Sequence, residues 1–249
     1  EKFLDIKCRQ ADLDPQAVVI VATVRALKMH GGVDKKELAN ENLEALAKGV
    51  ENLEKHIENI KKYNLPAVVA INVFPTDSEA ELQLLKDTCN KMGVDVAISE
   101  VFAKGGDGGI ELAQKLLEVL ETKEANYKPL YDLDLSIKEK IEVIAKEIYG
   151  ASGVAFDKKA ITKMKKYEAQ GLGKLPICVA KTQYSLSDQP TLLGRPSGFT
   201  IKINDLIPSA GAGFLVAISG SIMRMPGLPK RPAAVNMDID KDGKITGLF

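Results

Sequence analysis

Two apolar, β-branched runs separated by a single amphipathic stretch limit what this chain can fold into more than any other feature. Residues 17–24 read Ala-Val-Val-Ile-Val-Ala-Thr-Val, and residues 65–73 read Leu-Pro-Ala-Val-Val-Ala-Ile-Asn-Val. Both runs have strand length, and an unbroken apolar run predicts a strand buried on both faces, as in a parallel sheet. Pro66 stands near the start of its run, where a missing N–H does no harm. Between the runs, Leu43, Leu46, Ala47, Val50, Leu53, Ile57 and Ile60 recur at three- and four-residue spacing, with Lys and Glu between them. That is the helical period, and it predicts a helix over residues 40–63. Strand, helix and strand in this order make a crossover unit, which implies parallel strands with helices on the sheet faces.

The alternation continues. Thr76-Asp-Ser-Glu79 offers N-cap chemistry for a helix reaching Met92, and Gly93 ends it. Residues 94–99 then predict a third strand, residues 104–109 a glycine-rich turn and residues 109–121 a third helix. In sheets of this kind ligands sit where the carboxyl ends of strands feed into loops, which singles out residues 74–79 and 101–109. From about residue 126 the pattern changes. A connector at 127–131 leads to helices over 136–149 and 157–170, then to short strands at 177–180, 198–203, 213–218 and 233–237. The expected fold is α/β: a mostly parallel sheet with flanking helices over residues 1–125, followed by a smaller C-terminal α+β lobe over residues 126–249.

Composition narrows the function classes. Lys and Arg number 34 and so do Asp and Glu, giving a formal net charge of zero. This argues against a general nucleic-acid binder, which needs a basic surplus. The longest apolar run, residues 17–22, is far shorter than the roughly 20 residues that span a bilayer. Cys8, Cys89 and Cys178 are widely spaced and odd in number, which suits a reducing cytoplasm and indicates neither disulfides nor a zinc site. Asp238-Ile-Asp-Lys-Asp-Gly243 has the first half of a calcium loop, but Phe249 stands where the bidentate Glu belongs. An acidic turn between two strands is the better reading, and no metal site is expected. The chain opens Glu-Lys-Phe-Leu-Asp-Ile-Lys, without Met or a targeting segment, and reads as a fragment or a processed chain.

Two loops could hold an anion. Lys104-Gly-Gly-Asp-Gly-Gly109 leads into a helix, although it matches neither the dinucleotide fingerprint nor the P-loop pattern. The stretch from Met223 to Pro232 sets Arg224, Lys230 and Arg231 among Gly and Pro residues, and these cations could meet carboxylates or phosphates. A flexible connector and a solvated loop are the competing readings. His30 and His56 are isolated, and no Ser/His/Asp or Cys/His set assembles.

Several strings together resemble the formate–tetrahydrofolate ligase family. They are Asp5-Ile-Lys-Cys-Arg9, Val21-Ala-Thr-Val-Arg-Ala-Leu-Lys-Met-His-Gly-Gly32, Asn72-Val-Phe-Pro-Thr-Asp77, Ser99-Glu-Val-Phe-Ala-Lys-Gly-Gly-Asp-Gly-Gly109, Ile148-Tyr-Gly-Ala151 and the tail from Ser209 to Phe249. The resemblance covers essentially the whole chain and is to the C-terminal portion of the bacterial single-function enzyme. It implies a P-loop-type α/β core and ATP-dependent ligation of formate to tetrahydrofolate through formyl phosphate, with Mg²⁺ and a monovalent cation, in a cytoplasmic homotetramer of one-carbon metabolism. It places the folate ring against Phe74, Pro75, Ile98 and Phe102, with Phe102 standing where the family usually has Trp. Lys104, Gly105, Gly106, Arg224, Lys230 and Arg231 are candidates for an anion or active-site loop. The family's phosphate loop and catalytic residues are expected on a preceding N-terminal portion, the chain's first partner. Another P-loop-type carboxylate ligase or ATPase, and a non-catalytic interaction domain, are the alternatives.

Overall fold

The structure, a computed structural model, describes residues 1–220, 222, 230–241, 243 and 245–247. Its first sheet is parallel, with β1 (Val18–Ala22), β2 (Ala67–Asn72) and β3 (Asp95–Ser99) side by side in that order. The expected strand–helix–strand unit is present. The helices are α1 (Phe3–Cys8, wound as a π-helix, running on as Arg9–Ala11), α2 (Val24–His30), α3 (Leu43–Lys61), α4 (Glu79–Lys91), α5 (Val101–Lys104) and α6 (Ile110–Thr122). The side chain of Asn42 accepts from the Ala45 N–H at 2.9 Å and so starts α3, whose apolar stripe of Leu46, Val50, Leu53 and Ile57 packs on the sheet.

β2 is buried as expected, but β1 is not covered on both faces. Val19 is 37% and Val21 67% exposed, alternating with the more sheltered Val18, Ile20 and Ala22. α3 covers one face of β1, while α6 lies against β3 and β2. The β-branched run therefore specifies a strand, and its place at the edge of the described sheet leaves one face open.

The second sheet has four strands: β4 (Gly153–Phe156), β5 (Ile177–Ala180), β6 (Thr200–Ser209) and β7 (Phe214–Ser219), in the order β4-β6-β7-β5. β6 and β7 are antiparallel and the outer pairs are parallel. α7 (Ile137–Val143, continued by a π-helical turn, Ile144–Ile148) and α8 (Lys158–Ala169) pack against it. A strand expected at 233–237 is instead a 3₁₀ turn, Ala233–Asn236, opening after Pro232, whose fixed φ suits a turn start. Two short strands, β8 (Asp238–Ile239) and β9 (Ile245–Thr246), then pair across the acidic turn. Among the described residues no helix is long and apolar enough to cross a membrane.

One buried carboxylate ties three segments of the chain together beside the second sheet. Asp5 accepts the Tyr63 hydroxyl at 2.6 Å and the Leu130 N–H at 2.8 Å, joining α1, the end of α3 and the connector. Leu4 and Cys8 pack with the second sheet, as do Tyr63 and Leu65.

α2 and α3 cross backbone to backbone through two glycines. A Cβ on Gly49 would lie 1.8 Å from the Leu27 carbonyl oxygen, and one on Gly31 would lie 1.9 Å from that of Ala45. Alanine gains roughly 1 kcal/mol of helix propensity. Separating the helices costs more, because backbone atoms cannot turn aside. Gly49→Ala is therefore expected to destabilise the fold by about 1–3 kcal/mol net. Denaturant titration followed by circular dichroism measures this, and an unchanged midpoint would show that the close crossing does not exist.

Candidate active site

The carboxyl ends of the three parallel strands meet in two loops and one helix start. β1 passes into α2 through Thr23, whose hydroxyl accepts the Ala26 N–H at 3.1 Å. Arg25 in the first turn of α2 lays its guanidinium 5.3 Å from the centre of the Phe74 ring, a cation–π distance. Sequence reasoning gave Arg25 no role. Its only signal is its place just beyond the end of a strand.

The β2–α4 loop is organised by Asp77. Its Oδ2 accepts the Phe74 N–H at 2.8 Å, and its own N–H donates to the Phe74 carbonyl at 2.9 Å. Burial raises the Asp77 pKa, with the Phe74 N–H acting in the opposite direction. Its Oδ1 is buried with no hydrogen-bond partner among the described residues. Phe74 is half-buried in this loop, and Pro75 and Thr76 are exposed.

The next loop is brought alongside by the β2–β3 ladder, which extends one step further as the Val73 N–H donates to the Ser99 carbonyl at 3.0 Å. Three residues past Ser99, Phe102 on α5 is 93% exposed. Ile98, half-buried on β3, turns its N–H to the Glu111 carboxylate at 3.3 Å. Lys104 pairs with Glu100 at 2.6 Å, one helical turn earlier. The glycine turn closes when the Glu100 N–H donates to the Gly108 carbonyl at 2.9 Å. Gly108 is required there, since a Cβ would lie 2.4 Å from the Glu100 oxygen. Gly105 and Gly106 are exposed, and Gly105 has φ +59°.

A family model described as formate–tetrahydrofolate ligase matches residues 1–249. The chain belongs to that family. The family is one of ATP-dependent ligases that act on formate and tetrahydrofolate. The loops at Phe74 and Phe102 are thus adjacent in a family member whose substrate includes a flat heterocycle. Of the second group of cations, Lys230 and Arg231 are exposed and Arg224 lies outside the described residues. Among the described residues, no hydrogen bond or ion pair ties Lys230 or Arg231 to the Phe74 and Phe102 loops. None of the three strand-to-helix connections carries the glycine-rich Lys-Ser/Thr pattern of a phosphate loop. β1 reaches α2 through one residue, the next loop carries Phe74 and Pro75, and α6 opens after glycines with no Lys-Ser/Thr pair.

Behind the site lies a second determinant that sequence reasoning missed. Glu81 on α4 and Lys28 on α2 are both fully buried, 2.8 Å apart. Glu81 also accepts the N–H groups of Asn42 at 2.9 Å and Ser78 at 3.1 Å, the second completing a capping box at the start of α4. Burial by itself raises the Glu81 pKa, but the Lys28 ammonium and these two N–H groups outweigh it and hold the carboxyl below its ordinary 4.5. Because the folded pKa is depressed, this stabilisation is complete above pH 4.5 and is lost as pH falls through the folded value. Glu81→Gln leaves Lys28 buried without a counter-charge and is expected to cost about 3–5 kcal/mol. Paired denaturation curves at descending pH check this: the gap between native and variant should be constant above pH 4.5 and shrink below it.

Proposed function

We propose that this chain carries the tetrahydrofolate side of the formate–tetrahydrofolate ligase site. The pteridine ring stacks between Phe74 with Pro75 on one side and Phe102 on the other, and Ile98 supplies apolar contact. The observation that carries this reading is the 93% exposure of Phe102 one loop away from Phe74. An aromatic ring left in water at a strand's carboxyl end gains both burial and stacking when a flat ring covers it. Arg25 against Phe74, and Asp77 bound to the Phe74 N–H, hold the fixed wall of that slot.

Formate is a poor electrophile because its carboxylate is negative. With ATP and Mg²⁺ present, a formate oxygen would attack the γ-phosphorus, the bond to the β–γ bridging oxygen would break, and ADP would leave, giving formyl phosphate. N10 of tetrahydrofolate then attacks the formyl carbon, the C–O bond to phosphate breaks, and the N10 proton is lost. In this scheme the residues of this chain bind and orient the nucleophile. Phosphate-holding and catalytic groups come from a further portion of the enzyme, with a monovalent cation and a tetrameric assembly in the cytoplasm completing the reading.

The chain contains no Trp, so Phe102→Trp introduces a single fluorescent reporter at the slot. Its emission is expected to be quenched saturably by tetrahydrofolate. Phe102→Ala should weaken binding by about 1–3 kcal/mol, measured calorimetrically. Equal affinities for Phe102→Ala and the native chain would exclude the slot.

A separate outcome tests the division of labour. The purified 249-residue chain is expected to show no ATP-dependent formylation of tetrahydrofolate until the rest of the enzyme is supplied. Turnover by the chain alone, verified by intact mass, would overturn it.

A further inference from the structure

A second polar site lies at the other end of α2. Arg25 in the first turn of that helix faces Phe74, whereas His30 in its last turn, about 7.5 Å further along the axis, lines a cavity of about 250 Å³. Lys2, His56, Lys181, Thr182 and Gln183 line it too, and no Asp or Glu is among its lining residues. We propose that this cavity binds a small oxyanion of the phosphate class.

Its donors are set in place by bonds on the outer side of the cavity wall. His30 accepts the Gly194 N–H on Nδ1 at 3.1 Å, so the proton of the neutral ring sits on Nε2, leaving that N–H free to donate. Asn52 holds the same residue from behind, donating to the Gly194 carbonyl at 2.8 Å. The Thr182 oxygen accepts the Tyr184 N–H at 3.3 Å, and its hydroxyl proton is left to donate. Lys181 spends its hydrogens on the carbonyls of Thr182, Ser185 and Ser187 and lies 4.8 Å from the centre of the Tyr149 ring. It therefore contributes charge to the wall rather than a direct bond. Lys2 and His56 complete the ring of donors.

Lys2 and Lys181 make the cavity attractive to an anion, against the Glu1 carboxylate that accepts the hydroxyl of the lining Tyr149 at 3.5 Å. Both imidazoles are held below their ordinary pKa, His30 by partial burial and His56, an exposed residue, by desolvation of its ring together with the positive groups around it, so each is neutral at neutral pH. A bound dianion reverses that balance at His56, because a nearby opposite charge favours the protonated ring, whereas His30 stays neutral, since a proton on Nδ1 would break its bond from the Gly194 N–H. A tetrahedral oxyanion also presents acceptors in several directions at once, matching donors that converge from α2, α3, the chain start and the segment after β5. The cavity is larger than phosphate itself and leaves space for water or a small organic group. This reading is independent of the folate slot and of the ligase activity.

Because the chain has only two histidines, their imidazole C–H signals report the site directly. Inorganic phosphate is titrated into the full chain at neutral pH and followed by NMR. Both signals are expected to move saturably, that of His56 toward the protonated position and that of His30 as a neutral ring donating from Nε2, whereas sodium chloride of equal ionic strength leaves them unmoved. His56→Gln, at a side chain with no hydrogen bond among the described residues, and Lys2→Glu, at an exposed one, should each weaken phosphate binding about tenfold with the circular dichroism spectrum intact. A linear or chloride-like response, or unchanged affinity in both variants, overturns the site. Saturation by formate with phosphate inert overturns the phosphate class.

Discussion

The Glu81–Lys28 pair is the interaction on which the rest of the site depends. A carboxylate and an ammonium sealed from water are tolerable only when their remaining bonds are made. Here Lys28 also donates to the Asn40 carbonyl at 2.8 Å, while Glu81 takes the backbone N–H groups of Asn42 and Ser78. One ion pair thereby fixes α2, the start of α3 and the start of α4. Those are the elements that carry Arg25, bury the sheet and end the loop holding Phe74. Replacing the pair by apolar residues would keep the volume but lose the three-way register.

The glycines of the α2–α3 crossing act in the same direction. With no side chain at Gly31 and Gly49 the two backbones meet, and α2 is held where its first turn reaches the Phe74 ring and its last turn reaches the His30 cavity. Helix α2 has only seven residues and gains little from its own propensity. Its position comes from tertiary contacts, and so do both sites that it touches.

The folate slot divides into a fixed and an open wall. Phe74 is half-buried, gripped through its N–H by Asp77 and faced by Arg25. Phe102 stands in solvent on a four-residue helix, next to a turn that closes through Gly108. Such an arrangement lets one ring hold orientation while the other closes over the ligand, and its affinity depends on how much aromatic area the second ring supplies.

The sequence by itself determined the parallel β–α alternation, because period and β-branching are local properties: α3, β2, α4 and β3 lie within a few residues of their expected bounds. It also marked the loops at Phe74 and Phe102, since carboxyl ends of parallel strands follow from strand direction alone. What the tertiary structure decided was everything that joins residues distant in sequence. Val19 and Val21 read as core and stand exposed, because burial depends on which helix reaches the strand. Residues 233–237 read as a strand and form a turn, because Pro232 and the pairing of β8 with β9 outweigh local propensity. Asp5 with Tyr63, Glu81 with Lys28 and His30 with Gly194 are separated by 58, 53 and 164 residues and carry no periodic signal. A buried charge finds its partner only when the chain has folded around it, and that is where the physical chemistry of this protein is decided.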